Sequence, residues 1–163
     1  MNIVFIGTVQ FSQKALQHLI EIGTPPIGVI TKQASSFNAD FAQLAPICET
    51  NKISYRFVND IHARENIEWI QSHNPDVIFC FGWSSLIKRA VLEIPRLGVV
   101  GFHPAALPQN RGRHPIIWAL ALGMEETAST FFFMDEGADS GDILSQEKIR
   151  IDYSDDASSL YEK

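Results

Sequence analysis

The chain has 163 residues, 45% of them hydrophobic and 20% charged, a balance that is typical of a single soluble globular domain and excludes a disordered chain. Its formal net charge of -6 makes nucleic acid an unexpected partner, although a local basic patch is compatible with that total. The two cysteines, Cys48 and Cys80, lie in apolar segments without metal-ligand spacing, which predicts buried reduced thiols.

Nothing in the sequence predicts export or insertion into a membrane. The first residues, MNIVFIGT, lack the charged start and long apolar stretch of a signal peptide. The longest apolar run near a predicted helix, PIIWALALGM, is too short to cross a bilayer. We therefore expect a cytoplasmic protein with no membrane partner.

Short apolar runs alternate with helical periodicity through the first part of the chain. The runs predict strands at 3–6, 27–30, 55–58 and 77–81, and the periodic segments predict helices at 11–22, 41–50, 61–72 and 84–92. Asn59 or Asp60 is the expected cap of the third helix. The polar segment 32–40 is typical of an exposed loop.

The remainder of the chain predicts a strand at 98–102, a helix at 116–122 and strands at 130–134 and 143–149, the last two antiparallel. Strands that are apolar on both sides belong to a sheet covered by helices on both faces. Alternating strands and helices imply right-handed crossovers. The expected fold is therefore α/β, with a doubly wound, mainly parallel sheet.

The C-terminal segment SDDASSLYEK predicts a helix of about two turns that opens at Ser154. Because so short a helix has little surface with which to pack, we expect a single domain over 1–163 that is truncated at its C-terminus.

A dinucleotide cofactor does not fit the first strand–helix turn. Gly7 is followed by Thr8, Val9 and Gln10, whose side chains stand where a pyrophosphate would approach the backbone. The second strand has no acid after it to hold a ribose. In open sheets of this kind ligands bind beyond the carboxyl ends of the strands, which directs attention to the loops after Phe81 and Phe102.

Polar side chains concentrate in two such loops. His103 follows the apolar run GVVGF within the segment GFHPAALPQNRGRHP, and the segment MDEGADSGD contains Asp135, Glu136, Asp139 and Asp142. A histidine and a carboxylate on neighbouring loops can share a site and move a proton to and from a reacting amine near neutral pH. No His/Cys cluster has the spacing of a metal site.

Three long segments of the chain are distinctive: MNIVFIGTVQFSQKAL, AVLEIPRLGVVGFHPAALPQNRGRHPIIWAL and ETASTFFFMDEGADSGDIL. Together they resemble the formyltransferases that use 10-formyltetrahydrofolate, a family that includes methionyl-tRNA, glycinamide ribonucleotide and nucleotide-linked amino-sugar formyltransferases. The resemblance implies a Rossmann-like catalytic domain, transfer of a formyl group to a primary amine and no metal.

The same resemblance implies roles for individual residues. His103 matches the family's catalytic histidine and Asp139 its catalytic aspartate. Leu86 and Ile87 lie in the stretch that lines the pterin pocket, and the backbone of the acidic loop borders that pocket, which gives three further binding positions: Gly137, Ala138 and Asp142.

One position departs from the family pattern. The family carries an asparagine two residues before the histidine, where this chain has Gly101. Loss of an oxyanion donor costs roughly a hundredfold to a thousandfold in rate, so we expect a weak or inactive relative unless another donor substitutes. Asn110 and His114 are the candidates for that donor.

The acceptor is an open question in the sequence. Arg111 and Arg113, with His114, are candidates to bind an anionic acceptor, and the arginines serve equally well as partners of loop acids. The acidic charge favours a small amine, first a nucleotide-linked amino sugar, with methionyl-tRNA or glycinamide ribonucleotide as alternatives. A non-catalytic folate-binding relative and a formyltetrahydrofolate hydrolase are the alternatives from other classes. The oligomeric state is not readable.

Overall fold

The computed structural model describes residues 1–35 and 39–163, which form two compact units, 1–100 and 101–163. Part of the predicted exposed loop at 32–40 lies outside the described residues. Among the helices that are described, none is long and apolar enough to cross a membrane.

Four parallel strands organise the first unit: β1 (Ile3–Gly7), β2 (Gly28–Thr31), β3 (Ser54–Phe57) and β4 (Val77–Phe81). β1 pairs with β2 on one side and with β4 on the other, and β3 pairs with β2. The spatial order is therefore β3-β2-β1-β4, which reverses at β1 and confirms the doubly wound, mainly parallel class. Every residue of β1 and β2 is buried, as expected for strands without polar alternation.

The helices of the first unit are α1 (Gln10–Glu21), α2 (Ala45–Thr50), α3 (Arg64–Ser72) and α4 (Arg89–Leu92). The start of α1 is held by Ser12, whose Oγ accepts from the backbone nitrogens of Thr8 and Val9 at 3.2 Å each. The same hydroxyl donates to the carbonyl of Phe81 at 2.5 Å. The turn after β1 is thus closed by the protein's own groups.

Three predicted helices of this unit begin later than expected. α2 begins at Ala45, with Pro46 in its first turn, where the missing N–H has no cost. α3 begins at Arg64, because Asp60 accepts from the backbone nitrogen of His62 at 2.9 Å and shapes the preceding turn instead of capping the helix. The predicted helix over 84–92 is reduced to α4, and residues 83–87 form an irregular segment before its N-cap, Lys88.

The second unit contains α5 (Pro115–Ala121), β6 (Glu126–Phe133), β7 (Ile143–Arg150) and α6 (Ala157–Glu162), and it begins within β5 (Val99–His103). β6 and β7 are antiparallel, as predicted, and longer than predicted. The cap of α6 is Asp156, whose Oδ1 accepts from the nitrogens of Ser158 and Ser159 at 2.9 Å each, so the predicted capping role of Ser154 is wrong. Leu160 of this helix is buried.

Candidate active site

His103 is the last residue of β5, whereas the sequence predicted it directly after a strand that ends at residue 102. Its side chain is buried, and its Nε2 lies 2.9 Å from the backbone carbonyl oxygen of Asn110. Because a carbonyl oxygen only accepts, Nε2 carries a proton and donates it. The position of the ring is therefore fixed by the loop that follows it in the chain, and Nδ1 is the nitrogen that faces elsewhere.

Asp139 provides the group that Nδ1 faces. Its Oδ2 lies 3.6 Å from His103 Nδ1, within ion-pair range for a protonated ring and longer than a hydrogen bond. The same oxygen accepts from the backbone nitrogen of Gly112 at 2.9 Å. Only 8% of the histidine side chain and 22% of the aspartate side chain are exposed, so water screens the pair weakly. The structure thus brings these two predicted residues together.

The loop that carries Asp139 is organised by Asp135. Oδ1 of Asp135 accepts from the backbone nitrogen of Gly137 at 2.9 Å and from the hydroxyl of Ser140 at 2.6 Å. These bonds, with a contribution from the charge of Arg111, hold the pKa of the Asp135 carboxyl below its ordinary value, and the Ser140 hydroxyl is the largest cause. No role was predicted for Asp135 from the sequence, although an Asp with Gly two residues later is typical of an Asx turn.

The tight return of the same loop requires glycine at position 141. A Cβ there would lie 1.7 Å from the carbonyl oxygen of Phe133, which no side chain can accept. The backbone nitrogen of Phe133 also donates to the carbonyl of Asp142 at 2.8 Å. Asp139, between the Asx turn and this return, has a positive φ of 51°. A left-handed aspartate is uncommon, and it is held here by bonds on both sides.

The loop after His103 is fixed by side chains from β6 and β7. The hydroxyl of Thr130 donates to the carbonyl of Ala105 at 2.7 Å. Nε2 of Gln146 donates to the carbonyl of Leu107 at 3.0 Å and to the hydroxyl of Thr130 at 2.9 Å. The roles of Thr130 and Gln146 were not predicted, because hydrogen bonds between positions 25 and 39 residues apart leave no local signal in the sequence.

Asn110 contacts His103 through its backbone and not through its amide. The residue has a positive φ of 56°, and its side-chain nitrogen donates to the sulfur of Met124 at 3.7 Å. His114 is also left-handed, with a φ of 59°, and it is the exposed N-cap residue of α5. Arg111 and Arg113 are exposed on the intervening loop. The charge of Arg111 lowers the pKa of Asp135, which supports the predicted alternative in which this arginine is a partner of the loop acids.

Gly101 is buried, and the space beside it is occupied. A Cβ at this position would lie 2.9 Å from Cγ of Met134 and 2.9 Å from Cζ of Phe132. Contacts below 3.0 Å require a neighbour to move, and Phe132 is itself buried. The side chains of β6 and of the loop after it have therefore filled the volume that a larger residue at position 101 would need.

The predicted pterin-lining residues lie in the first unit, in the irregular segment between β4 and α4. The side chain of Leu86 is 57% exposed, whereas Ile87 is 2% exposed. Gly137, Ala138 and Asp142 of the predicted binding backbone are exposed in their loop or at its end. Within residues 1–35 and 39–163, no group of three or more His, Cys, Asp or Glu side chains is arranged to hold a metal ion.

Comparison with known proteins identifies the family to which this arrangement belongs. A family model described as formyl transferase matches residues 1–163. The chain belongs to the formyl transferase family. The methionyl-tRNA formyltransferase of Thermotoga maritima is 34% identical over 157 residues, which cover 93% of this chain and 50% of that protein. The chain therefore spans about half the length of the curated relatives it matches.

Solved structures share the fold of this formyl transferase chain. Phosphoribosylglycinamide formyltransferase from Bacillus halodurans superposes with a TM-score of 0.84 at 20% identity, over 99% of this chain and 86% of that one. The sugar 3N-formyl transferase WlaRD, solved in the presence of dTDP and 5-N-formyl-THF, has a TM-score of 0.72 at 19% identity, over 99% and 56% of the two chains. The expected Rossmann-like formyltransferase fold is confirmed.

Proposed function

We propose that this chain is the catalytic domain of an N-formyltransferase that moves a formyl group from 10-formyltetrahydrofolate to a primary amine. The observation that carries the proposal is the pairing of His103, at the end of β5, with Asp139, in the loop after β6, at 3.6 Å in a formyl transferase chain. A buried imidazole beside a carboxylate is a group that can donate and accept protons in a reaction at an amine.

In the reaction the amine nitrogen attacks the formyl carbon, and a bond forms between them while the formyl oxygen gains negative charge. The bond between that carbon and N10 of the folate then breaks, so that N10 gains a proton and the amine loses one. We assign to protonated His103 the stabilisation of the oxygen, as a charged donor in a site shielded from water. Asp139 orients the ring and takes part in removing the amine proton.

The loop between His103 and α5 supplies the remaining assignments. Asn110 and His114 are proposed as the donors that replace the family asparagine missing at position 101, and the weak sulfur acceptor of the Asn110 amide supports that assignment, since a charged oxygen is a far better one. Arg111 and Arg113 are proposed to bind an anionic acceptor, with His114 as a third contact. Leu86, Ile87, Gly137, Ala138 and Asp142 are proposed to border the folate.

The leading acceptor class is a nucleotide-linked amino sugar. The acidic net charge of -6 and the two exposed arginines of the loop support a small anionic amine. Methionyl-tRNA and glycinamide ribonucleotide are the acceptors suggested by the names of the relatives and of the structural neighbours. The cytoplasmic location expected from the sequence stays a prediction.

Gly101 favours a second candidate, a folate-binding relative without transferase activity. Phe132 and Met134 pack against this glycine, so the space that the family asparagine would need is filled by core side chains. A formyltetrahydrofolate hydrolase, with water in place of the amine, is the third class. The three classes differ in product: formylated amine, no product, or free formate.

The decisive experiment compares the full-length protein with its His103→Ala variant. Calorimetry with 5-formyltetrahydrofolate measures binding, and mass spectrometry measures formylation of the three acceptor classes with 10-formyltetrahydrofolate as donor. We expect both proteins to bind folate and only the wild type to formylate an amine. Wild-type protein that binds folate and releases only formate would show a hydrolase, and wild-type protein that binds no folate would refute all three classes.

A further inference from the structure

The irregular segment between β4 and α4, residues 83–87, is attached at both ends by side chains from other loops of the first unit. At its start the hydroxyl of Thr8 donates to the carbonyl of Gly82 at 2.8 Å. At its end the backbone nitrogen of Lys88 donates to Nε2 of His62 at 2.9 Å. Within it, the side chain of Leu86 is exposed.

The bond at His62 fixes the state of its ring. A backbone N–H only donates, so Nε2 of His62 is the unprotonated acceptor and the ring proton lies on Nδ1. Nδ1 faces Oδ1 of Asp60 at 3.4 Å, and Asp60 in turn accepts from the backbone nitrogen of His62 at 2.9 Å. Only 18% of the His62 side chain is exposed, so Nε2 is held in place and is only partly accessible to competing water.

The bond between Lys88 and His62 lies directly after the two residues that are predicted to line the pterin pocket. Lys88 is the N-cap residue of α4, and Ile87 and Leu86 come directly before it. No strand or helix includes residues 83–87, so the attachments at each end contribute, together with the buried side chain of Ile87, to holding their conformation. A segment held this way retains the shape of its apolar surface without a ligand, which reduces the ordering cost of binding one.

We propose that His62 is a positioning residue for the formyl donor, and that it acts by holding the Leu86–Ile87 segment in the conformation that binds the pterin ring. This inference rests on the proposed function, which assigns those two residues to the folate site. It predicts that loss of the imidazole nitrogen that accepts from Lys88 weakens binding of the folate and leaves the chemical step unchanged. His62 holds a binding surface and is not assigned to the reacting atoms.

Two variants remove the bond from opposite sides. His62→Leu removes the acceptor, and Lys88→Pro removes the donor at a position whose φ of -88° is close to the range of proline. His62→Gln restores an acceptor at a similar reach. His18→Leu, at a side chain that is 71% exposed on α1, is the matched control for loss of a histidine.

We expect His62→Leu and Lys88→Pro to raise the Kd for 5-formyltetrahydrofolate about threefold to tenfold, the effect of one hydrogen bond. kcat at saturating donor should change less than about twofold, and His62→Gln and His18→Leu should bind like the wild type. In the protein without folate, exchange of the Lys88 amide proton should accelerate in His62→Leu and slow again in His62→Gln.

The outcomes separate this inference from the proposed function. A wild-type protein that binds no folate overturns both. Folate binding that is unchanged in His62→Leu and in Lys88→Pro overturns this inference alone, as does a fall in kcat at unchanged Kd. Exchange of the Lys88 amide that does not respond to His62→Leu shows that the attachment itself is absent in solution, and it also overturns the inference.

Discussion

Oδ2 of Asp139 accepts a hydrogen bond from the backbone nitrogen of Gly112 at 2.9 Å, and so joins the loop after β6 to the loop after β5. The oxygen that makes this bond is the one that faces His103 at 3.6 Å. The carboxylate therefore has a structural partner and an ionisable partner on the same atom. Its charge and its shape can be separated by substitution.

Asp139→Asn is the substitution that separates them. The amide oxygen still accepts from Gly112, so we expect the midpoint of thermal unfolding to stay near that of the wild type. The negative charge beside His103 is lost, and kcat should fall on the order of a hundredfold to ten-thousandfold, the range for a group in general acid–base catalysis. Glu136→Gln, in the same exposed loop, is the control and should retain wild-type kcat. Wild-type kcat in Asp139→Asn would contradict the catalytic assignment.

Introducing the family asparagine at position 101 should not raise kcat. Gly101→Asn places a Cβ 2.9 Å from Phe132 and Met134, so we expect overpacking to lower the free energy of unfolding by about 1–3 kcal/mol. Gly101→Ala should show most of this loss, because the Cβ alone makes the contact. Denaturant unfolding measures the change. A Gly101→Asn protein with wild-type stability and a higher kcat would show that the volume is in fact available.

Residues that follow the ends of buried strands were the predictable part of the site. The apolar runs before them place His103 at the end of β5 and Asp139 in the loop after β6, and the family resemblance singles out Asp139 from the other acids of that loop. Helix ends were less predictable from local sequence. Asp60 is a residue type that caps helices, but its carboxylate accepts from the backbone nitrogen of His62 and α3 begins at Arg64. The role of Gln146 could not be predicted from the sequence, because its contact with Leu107 depends on the register of β6 and β7.

The bond from Thr130 to Ala105 predicts a stability difference between two buried threonines of β6. Thr130→Val removes one of two hydrogen bonds at the Ala105 carbonyl and one of two at Nε2 of Gln146, since both groups keep their bonds with Leu107. We therefore expect a loss of about 0.5–1.5 kcal/mol in the free energy of unfolding. Thr127→Val is the matched control, because its hydroxyl lies 3.5 Å from the carbonyl of Pro104 and makes a weaker bond. Equal losses in the two variants would deny Thr130 its special role.

Asn110 offers a test of the replacement donor that keeps the backbone contact with His103. Asn110→Gly retains the carbonyl and tolerates the φ of 56° without strain, so the fold should be preserved. If the side-chain amide stabilises the oxyanion, kcat should fall roughly a hundredfold to a thousandfold. Asn110→Ala should show the same kcat with lower stability, because alanine is strained at positive φ. Unchanged kcat in Asn110→Gly would exclude the amide and leave His114 as the candidate.

The Asx turn at Asp135 should make the loop that carries Asp139 sensitive to acid. The pKa of Asp135 is lowered in the folded protein, first by the Ser140 hydroxyl and then by the Gly137 N–H, so its ionised form favours the ordered loop. That contribution is fully present above the ordinary aspartate pKa of about 3.9 and is lost as the pH falls through the lower value in the folded protein. The chemical shift of the Gly137 amide, followed by NMR as the pH is lowered, should therefore titrate with a midpoint below about 3.9. Asp135→Asn keeps an acceptor oxygen without a titrating charge, and its Gly137 signal should not respond over that interval. A wild-type midpoint at or above the ordinary aspartate value would mean that the turn is not formed by the carboxylate.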